Sequence, residues 1–211
     1  MNRQYIVSFF LLAVCLSLTG QELLYDVIRN GSSMGVTKVE RRIVGDKTNY
    51  SLNTKTKFRI IFSFEVEYDL QESFDRGVLF SGTGFNTLND GIQNETKLTK
   101  RQNDYELVSD GISTRISEVE IKDSVSEIYF EEPFDQKKVF SAYFGRYLVL
   151  VKTGDHQYSL TSPDGTNVYT YENGICTRVV VTRDFATFSQ ELQPHLLSAV
   201  RSNKFSSSKT K

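Results

Sequence analysis

Residues 158–181 constrain the fold of this chain most, because two turn signals divide them into three runs of strand-forming residues. They read YSLTSPDGTNVYTYENGICTRVVV. In the first signal, SPDG at 162–165, proline fixes φ at one turn position and glycine frees it at another. In the second, ENG at 172–174, Asn-Gly supplies the positive φ that a tight hairpin needs. These residues therefore predict a three-stranded antiparallel meander.

The same succession of short runs and turns continues through the rest of the chain, with Asn-Gly at 30–31 and Asp-Gly at 90–91 and 110–111. Residues 58–69 alternate most clearly between apolar and polar side chains, so we expect a single strand there. The predicted fold class is therefore all-β. We expect a single antiparallel, strongly curved sheet or a barrel-like meander.

One region departs from the strand pattern. Between residues 137 and 145, apolar residues recur at helical spacing, and Gly145 is placed to end a helix. We expect a short helix or a turn there, and at most one short helix.

No linker or shift in composition divides residues 21–193, which predicts a single antiparallel β domain. After Pro194 the chain becomes rich in Ser and Lys and contains no acidic residue. We therefore expect residues 194–211 to be a basic, disordered tail. A helical turn over Leu196 to Val200 is the alternative for part of it.

The N-terminus has the composition of a secretory signal peptide. Arg3 precedes the apolar run IVSFFLLAVCLSL, and a small residue, Gly20, follows it. We expect residues 1–20 to be removed and the protein to be exported to the periplasm or beyond the cell. One alternative is an uncleaved anchor, although the run is shorter than the roughly 20 apolar residues that span a bilayer. The other is a lipoprotein acylated at Cys15, where Val14 stands in place of a small residue.

Charge and cysteine content exclude several partners and crosslinks. The net charge of −1 provides no basic surplus, so we expect no nucleic-acid partner. Once the signal is removed, Cys176 is the only cysteine, and no internal disulfide can form. We also expect no transmembrane segment in the mature chain.

Three segments resemble a known family: IYFEEP at 128–133, VFS at 139–141, and the meander over 158–174. On these segments the chain resembles small exported Bacteroidota proteins that share a domain of unknown function (DUF6134-like). The resemblance covers Leu23 to about Phe188. It implies a secreted, mostly antiparallel β-fold, and it carries over no catalytic residue.

Residue types that commonly carry catalysis or bind metals are sparse. The only histidines are His156, in a turn, and His195, after Pro194; we interpret both as surface residues. Cys176 lacks a neighbouring base to generate a thiolate, so we interpret it as a buried structural thiol. The sequence therefore predicts no catalytic residue, no metal site and no cofactor, in a protein that is not an enzyme.

Glu65 and Glu67 leave one enzymatic alternative open. In a strand they share a face about 6–7 Å apart, a separation compatible with the carboxylate pair of a glycosidase. A carbohydrate-active hydrolase is therefore an alternative function. Acidic residues that alternate with Phe and Val are also typical of any solvated sheet face.

The remaining functions are binding functions. We expect an exported, non-enzymatic β-domain that acts as an envelope scaffold or protein-interaction module, with an envelope protein as partner. The alternative is a carrier of an apolar ligand or lipid inside the sheet, since a curved sheet can leave room between inward side chains. The residues predicted to line that space are Ile60, Phe62, Phe64, Tyr129, Tyr169 and Tyr171. Aromatic residues at period two also fill packed cores, so a filled interior is the alternative for each.

Overall fold

The computed structural model describes residues 18–59, 63–184 and 186–204. The strands are β1 (Leu18–Arg29), β2 (Ser32–Val44), β3 (Lys47–Arg59), β4 (Ser63–Asp75), β5 (Val78–Leu88), β6 (Gly91–Lys100), β7 (Tyr105–Ser109), β8 (Ile112–Ile116), β9 (Lys138–Ser141), β10 (Arg146–Gly154), β11 (Gln157–Ser162), β12 (Gly165–Glu172), β13 (Ile175–Arg183) and β14 (Ala186–Leu192). A 3-10 helix spans Glu127–Tyr129, and helix α1 spans Pro194–Arg201.

All of these strands join in one antiparallel sheet, in the order β8-β7-β6-β5-β4-β3-β2-β1-β14-β13-β12-β11-β10-β9. The neighbours are successive strands of the chain except for β1 and β14, which pair with Tyr25 opposite Leu192 and so join the two halves of the chain. The edge strands β8 and β9 do not pair, and the sheet is not closed. The predicted single antiparallel sheet is confirmed, and the meander over 158–181 corresponds to β11, β12 and β13.

The sheet curls until distant strands touch. β5 and the turn after β9 are far apart in the sheet order, yet a Cβ on Gly82 of β5 would lie 2.7 Å from the Cβ of Ala142. A Cβ on Gly84 would lie 3.1 Å from the ring of Tyr143. Glycine allows this close approach, because a larger side chain would push the turn away. The result is a barrel-like roll with an inner and an outer face.

The core lies inside the roll, and the strands alternate between the two faces. In β10, Leu148 and Leu150 are buried, whereas Val149 and Val151 are more than half exposed. This alternation follows from the pleat of a strand. Burial of each leucine side chain stabilises the fold by about 1.5–3 kcal/mol.

The connection between β8 and β9, residues 117–137, crosses the inside of the roll and is called here the interior segment. Ile121 and Ile128 of this segment are buried. Tyrosine hydroxyls of the sheet form hydrogen bonds with two of its backbone groups. Tyr171 donates a hydrogen bond to the carbonyl of Ile128 at 2.8 Å, and the amide of Ile121 donates one to the hydroxyl of Tyr105 at 3.1 Å. These two backbone groups of buried residues are therefore hydrogen-bonded, as burial requires.

The sequence predicts a single strand over residues 58–69, but in the structure these residues belong to two strands. β3 ends at Arg59 and β4 begins at Ser63, and these two residues are opposite each other in the ladder. The chain therefore reverses between them. No glycine, proline or asparagine marks this reversal in the sequence. The apolar and polar residues also continue to alternate through it, so the pattern gives no sign that one strand ends and another begins.

Of the short helix or turn expected near residues 137–145, the turn is formed and the helix is not. Lys138–Ser141 form the edge strand β9, and a turn through Gly145 leads directly into β10. Val139 and Phe140 are fully buried in β9. Gly145 has a φ of +61°, the left-handed conformation of a tight turn. The apolar residues on the two sides of this turn only imitate helical spacing.

Residues 194–201, which the sequence assigns to a disordered tail, form helix α1 instead. Val200 is fully buried, and its carbonyl accepts a hydrogen bond from Nδ2 of Asn173 at 2.9 Å. Arg201 holds Glu172 with two hydrogen bonds of 2.7 and 2.9 Å. An apolar contact and a bidentate ion pair thus dock the helix on the β12–β13 turn. Residues 205–211 of the expected tail lie outside the described residues.

The signal peptide expected over residues 1–20 lies mostly outside the described residues. β1 begins at Leu18, which pairs with Val44 of β2, and Thr19 and Gly20 are exposed. In residues 18–59, 63–184 and 186–204, no helix is long and apolar enough to cross a membrane.

Candidate ligand-binding cavity

A cavity of about 590 Å³ lies inside the roll. It extends toward the end of the sheet at which β1, β11 and β13 finish, and the last residues of these strands belong to its lining. The apolar part of its wall comes from both halves of the chain: Val27, Leu52, Leu70, Leu148, Leu160 and Val181. Mainly apolar cavities of about 300–1,000 Å³ are typical of small-molecule sites.

The interior segment closes the other end of the cavity. Val125 and Tyr129 of this segment belong to the lining and form what we call the cavity floor. The hydroxyl of Tyr129 donates to Oε1 of Gln190 at 3.2 Å. Its ring packs edge-to-face against Tyr25, with 5.7 Å between the centroids. The floor is therefore fixed to both β1 and β14.

Tyrosines add polar groups to the apolar wall. Tyr129 packs edge-to-face against Tyr169, with centroids 5.8 Å apart, and Tyr68 packs against Tyr143 at 5.2 Å. Burial raises the pKa of Tyr169 to about 12 and the pKa of Tyr68 well above its ordinary value, so both phenols stay protonated. Tyr68 is only half-buried despite this desolvation. That combination is expected of a side chain that faces an internal cavity.

Charged residues surround the open end of the cavity, which we call the mouth: Arg29, Asp164, Arg183 and Asp184. Nη1 of Arg183 donates to Oδ1 of Asn167 and to the carbonyl of Thr182, both at 3.0 Å. Nδ2 of Asn167 donates in turn to the hydroxyl of Tyr169 at 3.2 Å. One amide thus connects a charge at the mouth to the tyrosines inside. Sequence reasoning misses these residues because each borders a turn, where polar side chains are normally solvated.

The structure separates the six residues predicted to line the interior. It places Tyr129 and Tyr169 together in the cavity wall. Tyr171 is buried in packed core instead, where its ring meets Tyr158 edge-to-face at 5.7 Å. Phe64 is half-buried at the start of β4 and does not belong to the lining. The other two, Ile60 and Phe62, lie outside the described residues.

A second polar cluster lies away from the cavity, around Glu132. Its carboxylate is buried, accepts a hydrogen bond from the hydroxyl of Tyr158 at 3.0 Å, and lies 2.9 Å from Nδ1 of His156. The hydrogen bond to Glu132 raises the pKa of His156. His156 is half exposed, as expected of a surface histidine, but a buried carboxylate orients its ring. The cluster therefore ties the interior segment to the β10–β11 turn.

Glu72 of β4 is a buried acid inside the roll. Burial raises the pKa of Glu72, and the nearby hydroxyls of Ser126 and Ser124 only partly oppose this effect. Neither carboxylate oxygen has a hydrogen bond of standard geometry to a described residue. A carboxyl in such surroundings is favoured in its neutral form.

The carboxylates proposed for a hydrolase are engaged separately. Glu65 forms an ion pair with Lys57 at 3.4 Å, and Glu67 forms one with Lys55 at 3.0 Å. The hydrogen bond from Lys55 lowers the pKa of Glu67, whereas a general acid needs a raised pKa. These two glutamates therefore have the character of a solvated sheet face.

The structure also shows the surroundings of the possible nucleophile Cys176 and of the possible metal ligands. Burial raises the pKa of Cys176 to about 12, which keeps its thiol protonated. In the part of the chain that the structure describes, no group of three or more His, Cys, Asp or Glu side chains is placed to hold a metal ion.

Residues 25–193 match the sequence profile of a family described as "Domain of unknown function (DUF6134)". The chain belongs to the DUF6134 family. The match runs from β1 to the residue before helix α1, and so includes the sheet, the interior segment and the cavity. The match confirms the resemblance to this domain family that the segments at 128–133, 139–141 and 158–174 indicate.

The fold of this DUF6134 protein is similar to a crystal structure described as a "Beta-barrel-like Protein of Domain of Unknown Function DUF1849 from Brucella abortus". The TM-score is 0.51 at 12% sequence identity, and the alignment covers 84% of this chain and 97% of that chain. At this identity the likeness concerns the fold alone. No curated protein matches the DUF6134 chain.

Proposed function

We propose that this DUF6134 protein is a non-enzymatic carrier that binds one small apolar or amphiphilic molecule in its cavity. The observation that supports the proposal is the cavity itself, about 590 Å³ in volume, with an apolar wall and a charged mouth at one end. Binding sites for small molecules combine such a wall with a few polar groups that fix orientation. Here the hydroxyls of Tyr129 and Tyr169 and the guanidinium of Arg183 provide those groups.

We also propose that the protein is exported and that residues 1–20 are removed. The charged start, apolar centre and small residue at the cut site support this. Cleavage after Gly20 would shorten β1, but the first buried side chain described in this strand is that of Leu23. The fold would therefore keep its core. We expect the measured mass of the mature protein to be that of a chain whose first residue is Gln21.

Native mass spectrometry of the full chain, purified from an exporting host, tests carriage directly. We expect an added mass in the lipid range that disappears when the protein is denatured. The same spectrum measures the mature N-terminus, so export and carriage are read out independently.

A tryptophan reporter tests carriage in solution. The chain contains no tryptophan, so Phe144→Trp would place a single fluorophore at a half-buried position of the cavity wall. We expect its emission to change when lipids are added. Phe80→Trp is the matched control, because Phe80 of β5 is exposed and does not line the cavity. A ligand-free mass spectrum together with an unresponsive Phe144→Trp variant would refute carriage.

A protein-interaction module is the second candidate, and one surface feature favours it. Val149 and Val151 of β10 are 62% and 52% exposed on the outer face. Two adjacent apolar side chains on one face of a strand can form part of a contact with another protein. The variant Val149→Glu/Val151→Glu should then lose a partner in pulldown while the Phe144→Trp reporter keeps its lipid response. An unchanged set of partners would remove this candidate.

A further inference from the structure

We propose that the mouth selects ligands with an anionic head, and that the physiological ligand class is a single-chain amphiphile with a carboxylate. The proposal rests on the proposed function and specifies its ligand. Arg29 and Arg183, the two mouth arginines, would bind the head, while the apolar wall would hold the chain.

Among the residues that the structure describes, no acidic side chain neutralises the mouth arginines. The side chain of Arg29 forms no hydrogen bond or ion pair with them, and the side chain of Arg183 donates hydrogen bonds only to the neutral oxygens of Asn167 and Thr182. The more deeply buried Arg41, in contrast, is paired with Glu131 at 3.0 Å. Partly buried cations normally have an anionic partner, because burial weakens their hydration.

The acids at the mouth do not serve as that partner. Among the described residues, neither Asp164 nor Asp184 forms an ion pair with Arg29 or Arg183. Both aspartates are exposed, whereas both arginines are half-buried. Charges interact more strongly where water is partly excluded. A ligand that enters the cavity therefore meets the positive groups in the less solvated position.

Arg183 is also oriented for a planar anion. Its Nη1 atom is fixed by Asn167 and the Thr182 carbonyl. Its Nε and Nη2 atoms form no hydrogen bond with the described residues, and these two donors together match the two oxygens of a carboxylate. Burial raises the pKa of Tyr129 and of Tyr169, and the charge of Arg183 acts in the opposite direction on both.

The test compares two probes of equal chain length, hexadecanoate and hexadecanol, titrated into the full mature chain with the Phe144→Trp reporter. We expect hexadecanoate to bind at least about tenfold more tightly, because only the carboxylate gains charge-assisted hydrogen bonds. Arg29→Gln and Arg183→Gln should each weaken hexadecanoate binding and leave hexadecanol binding unchanged. Arg183→Lys keeps the charge without the bidentate geometry, so an intermediate loss is expected.

Arg76→Gln provides the matched control, because Arg76 is an exposed arginine in the β4–β5 turn and does not line the cavity. Equal affinities for the acid and the alcohol, or an acid preference that survives both mouth variants, would overturn the inference while leaving carriage intact. Tighter binding of hexadecyltrimethylammonium than of hexadecanoate would overturn it too, since the aspartates would then dominate. If neither the acid nor the alcohol binds, carriage of single-chain lipids fails together with the head-group inference.

Discussion

Filling the cavity from its floor should stabilise the protein, whereas the same substitution in packed core should destabilise it. Val125 is half-buried and faces the cavity. In Val125→Phe, the larger ring would enter the cavity and bury apolar surface equivalent to about two methylene groups, which is worth about 1–2 kcal/mol. In Val179→Phe, the ring has no such space, because Val179 is fully buried in the core and does not line the cavity. Overpacking there should cost about 1–3 kcal/mol.

Urea unfolding followed by circular dichroism measures both variants, and comparable m-values are needed before the free energies are compared. The same Val125→Phe protein should lose lipid binding, because the ring occupies the ligand's space. Destabilisation of Val125→Phe to the extent seen in Val179→Phe, with unchanged lipid binding, would show that the region behind Val125 is packed. The protein would then lack the internal space that carriage requires.

Three further predictions concern buried polar groups. Burial raises the pKa of Glu72, so the stability that its neutral carboxyl contributes is present below the unfolded pKa and is lost as pH rises through the folded pKa. Glu72→Gln should remove this loss of stability with rising pH, as measured by urea unfolding at a series of pH values, and an unchanged pH dependence would show that Glu72 does not cause it. The hydrogen bond from His156 to Glu132 raises the pKa of His156, so Glu132→Gln should lower it in an NMR titration, and an unchanged value would contradict the contact. Tyr171→Phe should cost about 1–3 kcal/mol, because the buried carbonyl of Ile128 loses its donor; a neutral effect in thermal unfolding would indicate that another donor replaces it.

Local turn chemistry accounts for the part of the fold that the sequence predicts. The SPDG and ENG signals lie at the ends of β11, β12 and β13, because each signal supplies the backbone angles of its own hairpin. The predicted secondary structure is wrong where contacts between residues distant in sequence determine the conformation. Residues 138–141 form an edge strand whose Phe140 amide bonds the carbonyl of Asp123, in the interior segment. No local pattern contains that partner.

The sequence predicts that tyrosines line the candidate site, but it does not predict which tyrosines do so. Tyr169 and Tyr171 are two positions apart in β12, so period two places both on one face of the strand. Tyr169 nevertheless lines the cavity, whereas Tyr171 is covered by the interior segment through its bond to Ile128. A register shift between Thr170 and Tyr171 adds to this difference. Position along the axis of the roll, which the sequence pattern does not contain, separates a wall residue from a core residue.

The volume of the cavity connects carriage to stability. At about 24 cal/mol per Å³, a dry void of about 590 Å³ would cost about 14 kcal/mol, close to the entire stability of a typical domain, about 5–15 kcal/mol. The space is therefore compatible with a stable fold only when water or a ligand fills it. Water finds few hydrogen-bond partners beside Val27, Leu52 and Leu160, so an apolar chain that covers these residues replaces poorly bonded water. A bound amphiphile should consequently raise the unfolding midpoint in proportion to its affinity and concentration.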